Sequence, residues 1–222
     1  MGTISANKLA GYSLVVGPIV TLLGYFLQPG GMLIDAADPA DAAASLAAIT
    51  SNDMMSQLTG VVIALGLIVF LYGFFVLQSN MRENGSGDAV SRYGVMLIMF
   101  GVIGWVVSVG MNMSIAGSDL TVASQGAAAG ALYSATLGIN TIAGLLAGLG
   151  FLLLALAIST RDDQNKIFAL VAAAVGVVVV IAVLIGGMDT AQLQNMQMII
   201  GICYLIHVAW TVTLGLGLMK QG

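Results

Sequence analysis

Residues 167–188 read IFALVAAAVGVVVVIAVLIGGM, with no charged residue and no polar one stronger than glycine. At 1.5 Å per residue such a run reaches about 33 Å as a helix, enough to cross a hydrocarbon layer of about 30 Å. A barrel strand would alternate polar and apolar positions, and this run does not, so a membrane helix is the reading. Five further stretches share its character, at 9–27, 58–77, 93–113, 126–158 and 196–219, and none holds an Asp, Glu, Lys or Arg. The fold expected is an all-α, polytopic bundle of six transmembrane helices in a single domain, residues 1–222.

Composition agrees. Of 222 residues, 59% are apolar and 7% charged, and the mean hydropathy is +1.03, whereas a soluble domain carries about a quarter charged residues. Six Lys plus Arg stand against ten Asp plus Glu, a net charge of −4 that leaves no basic patch for nucleic acid and makes membrane lipid the expected surroundings. One cysteine rules out a disulfide framework or a thiolate cluster.

Orientation follows from the cations. Lys8 precedes the first span, Arg82 and Arg92 bracket the second connection, Arg161 and Lys166 the fourth, and Lys220 follows the sixth span. All six fall on one side, an arrangement that chance alone gives about one time in 32, and the side that keeps its cations is cytoplasmic. Both termini are expected in the cytoplasm. The opposite connections carry Asp35, Asp38, Asp41, Asp53, Asp119 and Asp189. They read as helix caps, or as a mouth that attracts cations. The first apolar run is longer than the 7 to 15 residues of a signal peptide, so it is expected to be retained.

The chain also reads as three hairpins. Each outward span pairs a leading cation with a glycine at nearly the same offset, Lys8 with Gly17, Arg92 with Gly101 and Lys166 with Gly176. Each returning span pairs an Asp with a Gln: Asp53 with Gln57, Asp119 with Gln125, Asp189 with Gln197. The first outer connection, 28–57, is the long one. Its Asp38-Pro39-Ala40-Asp41 followed by AAASLAAIT predicts a short interfacial helix capped at Asp38, with Leu46 and Ile49 on its apolar face. Residues 83–88 read as a flexible turn and 160–164 as a tight one. The fourth span is longer than a bilayer needs and should tilt or project.

Lipid gives apolar helices no reason to associate, so close backbone approach must hold the bundle. Gly60 with Ala64, Ala143 with Ala147, Gly144 with Gly148 and Ala172 with Gly176 supply the small-xxx-small spacing among 29 glycines. That spacing serves packing within the chain or association with other subunits.

Three groups of residues bear chemistry. His207, the one histidine, sits mid-span with Cys203 a turn earlier and Thr211 a turn later on the same face. It reads either as a cofactor-binding pair with Cys203, for haem or a pigment, or as a neutral ring bonded to another helix near Asn140 or Thr141. Met54-Met55, Met111 with Met113, and Met196 with Met198 lie at outer span ends, and thioethers in Met-x-Met spacing are soft ligands suited to Cu(I). The ordinary role of methionine is gap-filling. Asn112 is expected among headgroups, and Trp105, Trp210, Tyr72, Tyr133 and Tyr204 are spread too widely for a cofactor box. No span holds a Lys or a carboxylate, and there is no Walker loop, His-Glu-x-x-His helix or Gly-x-Ser-x-Gly elbow, so no enzyme is expected.

The segment from Phe26-Leu27-Gln28-Pro29 through Asp38-Pro39-Ala40 and Leu46-Ala47-Ala48-Ile49 resembles the first hairpin of uncharacterised bacterial multi-span inner-membrane proteins. The resemblance implies placement in a bacterial inner membrane and nothing about substrate. The leading expectation is a non-catalytic membrane subunit, self-assembling as a homo-oligomer or accessory to other membrane subunits. A carrier or channel for copper or a small neutral solute is the alternative, and a haem or pigment protein through His207 a further one.

Overall fold

The computed structural model describes residues 4–84, 87–161 and 164–221. Six long helices follow the apolar runs: α1 (Ala6–Leu27), α3 (Asp53–Asn84), α4 (Asp88–Ala116), α5 (Ala123–Ser159), α6 (Lys166–Met188) and α7 (Leu193–Lys220). Each is long and apolar enough to cross a membrane. A short α2 (Ala42–Ser51) lies in the first connection, and a 3-10 turn, Thr190–Gln192, leads into α7. No strand occurs among the described residues. Every helix extends beyond its uncharged run, because helical hydrogen bonding continues past the polar residues at the membrane boundary. The sequence-based turns at 83–88 and 160–164 fall partly on Gly85, Ser86, Asp162 and Asp163, outside the described residues.

The six long helices form a closed ring in chain order, each packed on its sequence neighbours, and α7 returns to α1. Neighbours run antiparallel, so Gly17 meets Phe70, Gly94 meets Leu154, Gly148 meets Val179 and Gly11 meets Gly215. The ring therefore has a basic end, carrying Lys8, Arg82, Arg92, Arg161, Lys166 and Lys220, and an acidic end bearing the aspartates of the other connections.

Glycine sets the tightest crossings. A side chain at Gly94 would lie 2.8 Å from the Leu154 backbone nitrogen, and one at Gly150 2.7 Å from the Gly94 carbonyl. The small-xxx-small pairs also pack inside the chain: Gly60 against Met113, Gly144 against Val183, Gly148 against Val179, Gly176 against Leu152. Hairpin symmetry is partial. Gly17 and Gly101 each face the returning helix of their own hairpin, α3 and α5, whereas Gly176 faces back to α5.

Capping departs from the sequence reading in two places. Helix α2 starts one turn later than the Asp38-Pro39 pattern suggests: Asp41 is the cap, accepting from the Ala44 N–H at 3.0 Å, while Asp38 accepts from the Ala40 N–H in a preceding turn. That turn is held by Tyr133, whose hydroxyl donates to the Pro39 carbonyl at 2.8 Å, and by the Ser45 hydroxyl on the Asp38 carbonyl. Asn52 rather than Asp53 accepts from the Met55 N–H at the start of α3. Asp119 closes its own loop, and the Thr121 hydroxyl and N–H hold its carboxyl below the usual range. Asp189 caps the 3-10 turn.

Helix α2 rests on α3, α4 and α5, with Leu46 and Ile49 packed among Ile115, Ala116, Ala129 and Tyr133. It covers that side of the acidic end. Asp41→Ala is expected to cost about 1 kcal/mol of helix stability, seen as faster hydrogen exchange of the α2 amides than in the unsubstituted protein.

Candidate functional site: a cavity inside the ring

The two halves of the ring are filled differently. Towards the basic end, Ala10, Leu14, Leu77, Met81, Val95, Leu154, Ile158, Trp210, Leu214 and Leu218 form an apolar core, with a smaller recess of about 190 Å³ beside Leu77, Met81, Ile158 and Leu218. Midway, aromatic rings from four helices bridge the interior. Phe70 and Phe74 of α3 meet Phe151 of α5, at centroid distances of 6.3 and 5.8 Å. Phe151 stacks on His207 of α7 at 4.4 Å, nearly parallel, and Trp105 of α4 sets its edge to Tyr204 at 5.5 Å.

Above this aromatic floor the acidic half holds a cavity of about 360 Å³, within the range of small-molecule sites. All six long helices contribute to its wall, including Pro18, Thr21 and Phe26 of α1, Ile63 and Leu67 of α3, and Ser108 and Asn112 of α4. Leu137, Asn140 and Thr141 of α5, Val183 and Gly187 of α6, and Met196, Ile200, Tyr204 and His207 of α7 complete it. No carboxylate or cation lines it.

Antiparallel packing from Gly11 against Gly215 sets Leu22, Tyr25 and Phe26 of α1 at the height of residues 200–205 of α7. Both sets line the cavity, and Tyr25, Met198, Ile202 and Leu205 are at the same time 42–61% exposed on the outer surface of the ring. The seam between α1 and α7 is sealed by Gly11 and Gly215 towards the basic end, while towards the acidic end residues of both helices line the cavity and also reach the outer surface.

His207 is 1% exposed. Its Nε2 lies 3.0 Å from the Ala172 carbonyl of α6. A carbonyl only accepts, so Nε2 carries the proton. The partner is thus a backbone group of the fifth span and not Asn140 or Thr141 of the fourth; the Thr141 hydroxyl donates to Leu137. Three residues of the wall each hold a polar atom that is buried without a protein partner: His207 Nδ1, the Tyr204 hydroxyl and Asn112 Oδ1.

Other sequence candidates fall elsewhere. Cys203 is buried against Val179 and Val183 of α6 and lies outside the cavity wall, so it does not share the position of His207. Thr211 donates to the Val208 carbonyl of its own helix. Of the methionines, Met32, Met196 and Met198 line the cavity, but residues two apart on a helix point to different sides, and Met196 packs on Gly186 while Met32 and Met198 are half exposed. Met54, Met55, Met111 and Met113 lie outside the wall; Met113 packs on Gly60 and Met54 is exposed. Among the described residues no three His, Cys, Asp or Glu side chains come together.

Asn112 lines the cavity, and Trp105 and Tyr204, far apart in sequence, touch. The i,i+3 spacing of Tyr204 and His207 was the available signal for one shared polar face. His207→Gln should leave the ring intact and cost about 1 kcal/mol, the worth of one interhelical hydrogen bond in a membrane, measured by thermal unfolding in detergent.

Comparison with family models, with curated proteins and with solved structures gives no match to this chain.

Proposed function

We propose that this protein binds a lipophilic small molecule inside its helix ring, taken up sideways from the bilayer. One observation carries the reading: an apolar cavity of about 360 Å³ whose lining residues hold buried, unpartnered polar atoms and, along α1 and α7, also reach the outer surface. A helix ring serving only as scaffold would gain packing energy by filling that space, and each buried polar group left without a partner costs about 1–3 kcal/mol. A bound molecule supplies what both lack.

Native mass spectrometry of the whole protein, released from lipid nanodiscs, tests this. One small molecule per chain, lost in Ser108→Phe where a ring enters the cavity, is the expected result. An adduct equally abundant in that variant would count against the cavity as its site.

The membrane is read as a bacterial inner membrane with the basic end in the cytoplasm, from the cation distribution and the resemblance of the first hairpin. The native Cys203 is buried, so single added cysteines report topology. A cysteine at Ala43 is expected to react with a membrane-impermeant maleimide from outside intact cells, and one at Ala89 only after the inner face is exposed. Equal reaction of both from one side contradicts the orientation.

A second reading, as a subunit of a larger membrane assembly, rests on α5. Ala127, Ala131, Ser134 and Gly138 form an exposed small-residue stripe, and a side chain at Gly138 would meet nothing within 4 Å. Crosslinking from a cysteine at Ala131 in native membranes should give a discrete higher-mass species under this reading and none for a dispersed monomer.

A further inference from the structure

The cavity is asymmetric in what it lacks. His207 Nε2 spends its proton on the Ala172 carbonyl. In a neutral imidazole the other nitrogen then holds only a lone pair. A second proton would place a cation in a wall without a single carboxylate, which the apolar surroundings strongly disfavour. Nδ1 is therefore an acceptor in want of a donor. One turn away on the same face of α7, the Tyr204 hydroxyl is buried with no partner, a donor in want of an acceptor. A hydroxyl group is both at once. It can give its proton to His207 Nδ1 and receive the Tyr204 proton on its oxygen. An ether or a carbonyl satisfies only the tyrosine, and a hydrocarbon satisfies neither.

We infer that the cavity selects a lipophilic alcohol or phenol, its hydroxyl seated between His207 and Tyr204 on the aromatic floor and its apolar body in the upper cavity and the α1–α7 opening. Shape agrees with this polarity. The polar pair is at the floor beside Phe151, while the opening is bordered by Phe26, Ile202 and Leu205, with Asn112 and Asn140 on the wall between. The inference rests on the small-molecule reading above and adds the chemical class of its occupant.

The test compares each alcohol with its own methyl ether, which keeps the body and removes the donated proton. Farnesol and farnesyl methyl ether form one pair; 1-naphthol and 1-methoxynaphthalene form the other. Binding to the full-length protein in nanodiscs is followed by calorimetry, with empty nanodiscs subtracted. The alcohol of at least one pair should bind saturably and about tenfold or more tighter than its ether, since a site built around a hydroxyl rejects the analogue that leaves its polar groups unpaired. His207→Phe, which keeps a ring against Phe151, should bring alcohol and ether to within about twofold of each other, and Tyr204→Phe should narrow the gap. Alcohol and ether bound equally by the unsubstituted protein would overturn the hydroxyl selectivity while leaving a lipophilic site. No saturable binding of any of the four, as expected if water alone bridges His207 and Tyr204, would overturn both. Alcohol and ether are compared on the unsubstituted protein, so the test holds even if a variant fails to fold.

Discussion

Leucine at position 150 is expected to prevent the ring from assembling. Its Cβ would lie 2.7 Å from the Gly94 carbonyl oxygen and 2.8 Å from the Ile98 nitrogen, both backbone atoms of α4. A flexible side chain could yield by rotating, but here α4 itself must move. The facing Gly94 is locked in the same way against Gly150 and Leu154, so no shift along the crossing relieves the clash. Overpacking a core costs about 1–3 kcal/mol when side chains can adjust, and separating two helix backbones should exceed that range. Gly138→Leu is the control. A side chain there would meet nothing within 4 Å and the position is exposed, so a change within about 0.5 kcal/mol is expected. Thermal unfolding of both variants in the same detergent measures the contrast, and a Gly150→Leu protein as stable as the control would mean that α4 and α5 do not cross as described.

The second large effect belongs to the seam that closes the ring. At Gly215 a side chain would sit 2.6 Å from the Gly11 carbonyl, and at Gly11 2.6 Å from the Gly215 carbonyl. Helix α1 is also held by α3, where Gly17, Gly24, Gly66 and Gly73 sit at the interface. Gly215→Leu is therefore expected to part α1 from α7 without unfolding the rest. Spin labels at the exposed positions Tyr12 and Leu216 should move apart by about 2–3 Å, the difference between a glycine crossing and an ordinary interhelical distance. Since the proposed entry lies above this contact, the variant should also exchange a bound lipophilic probe faster. An unchanged label distance would place the ring's closure elsewhere.

These effects bear on how the protein performs its proposed task. Glycine crossings fix the helices in both halves of the ring, and the larger cavity lies in the acidic half. The aromatic floor made by Phe70, Phe74, Phe151 and Trp105 separates the two. A molecule entering between α1 and α7 meets apolar surface first and the His207–Tyr204 pair last.

The number, type and order of the helices were legible in the sequence, because crossing a membrane is a property of each segment alone. The run at 167–188 became α6, Lys166–Met188, almost residue for residue, since its lack of charge and its length already answer the only question a bilayer asks. The short helix of the first connection was legible for a related reason: caps and propensities act within one turn, although Tyr133 and Ser45 moved its start from Asp38 to Asp41. The side each helix turns to the ring was not legible. In a soluble bundle an apolar stripe marks the inward face, but here lipid and ring interior are equally apolar and no stripe forms. Nothing in the sequence therefore joined Asn112, Trp105 and Tyr204, which the ring brings to one cavity. The partner of His207 was hidden more deeply still. It is the carbonyl of Ala172, a group that every residue carries, so no side chain announces it and only the packing of α7 against α6 decides which one is met.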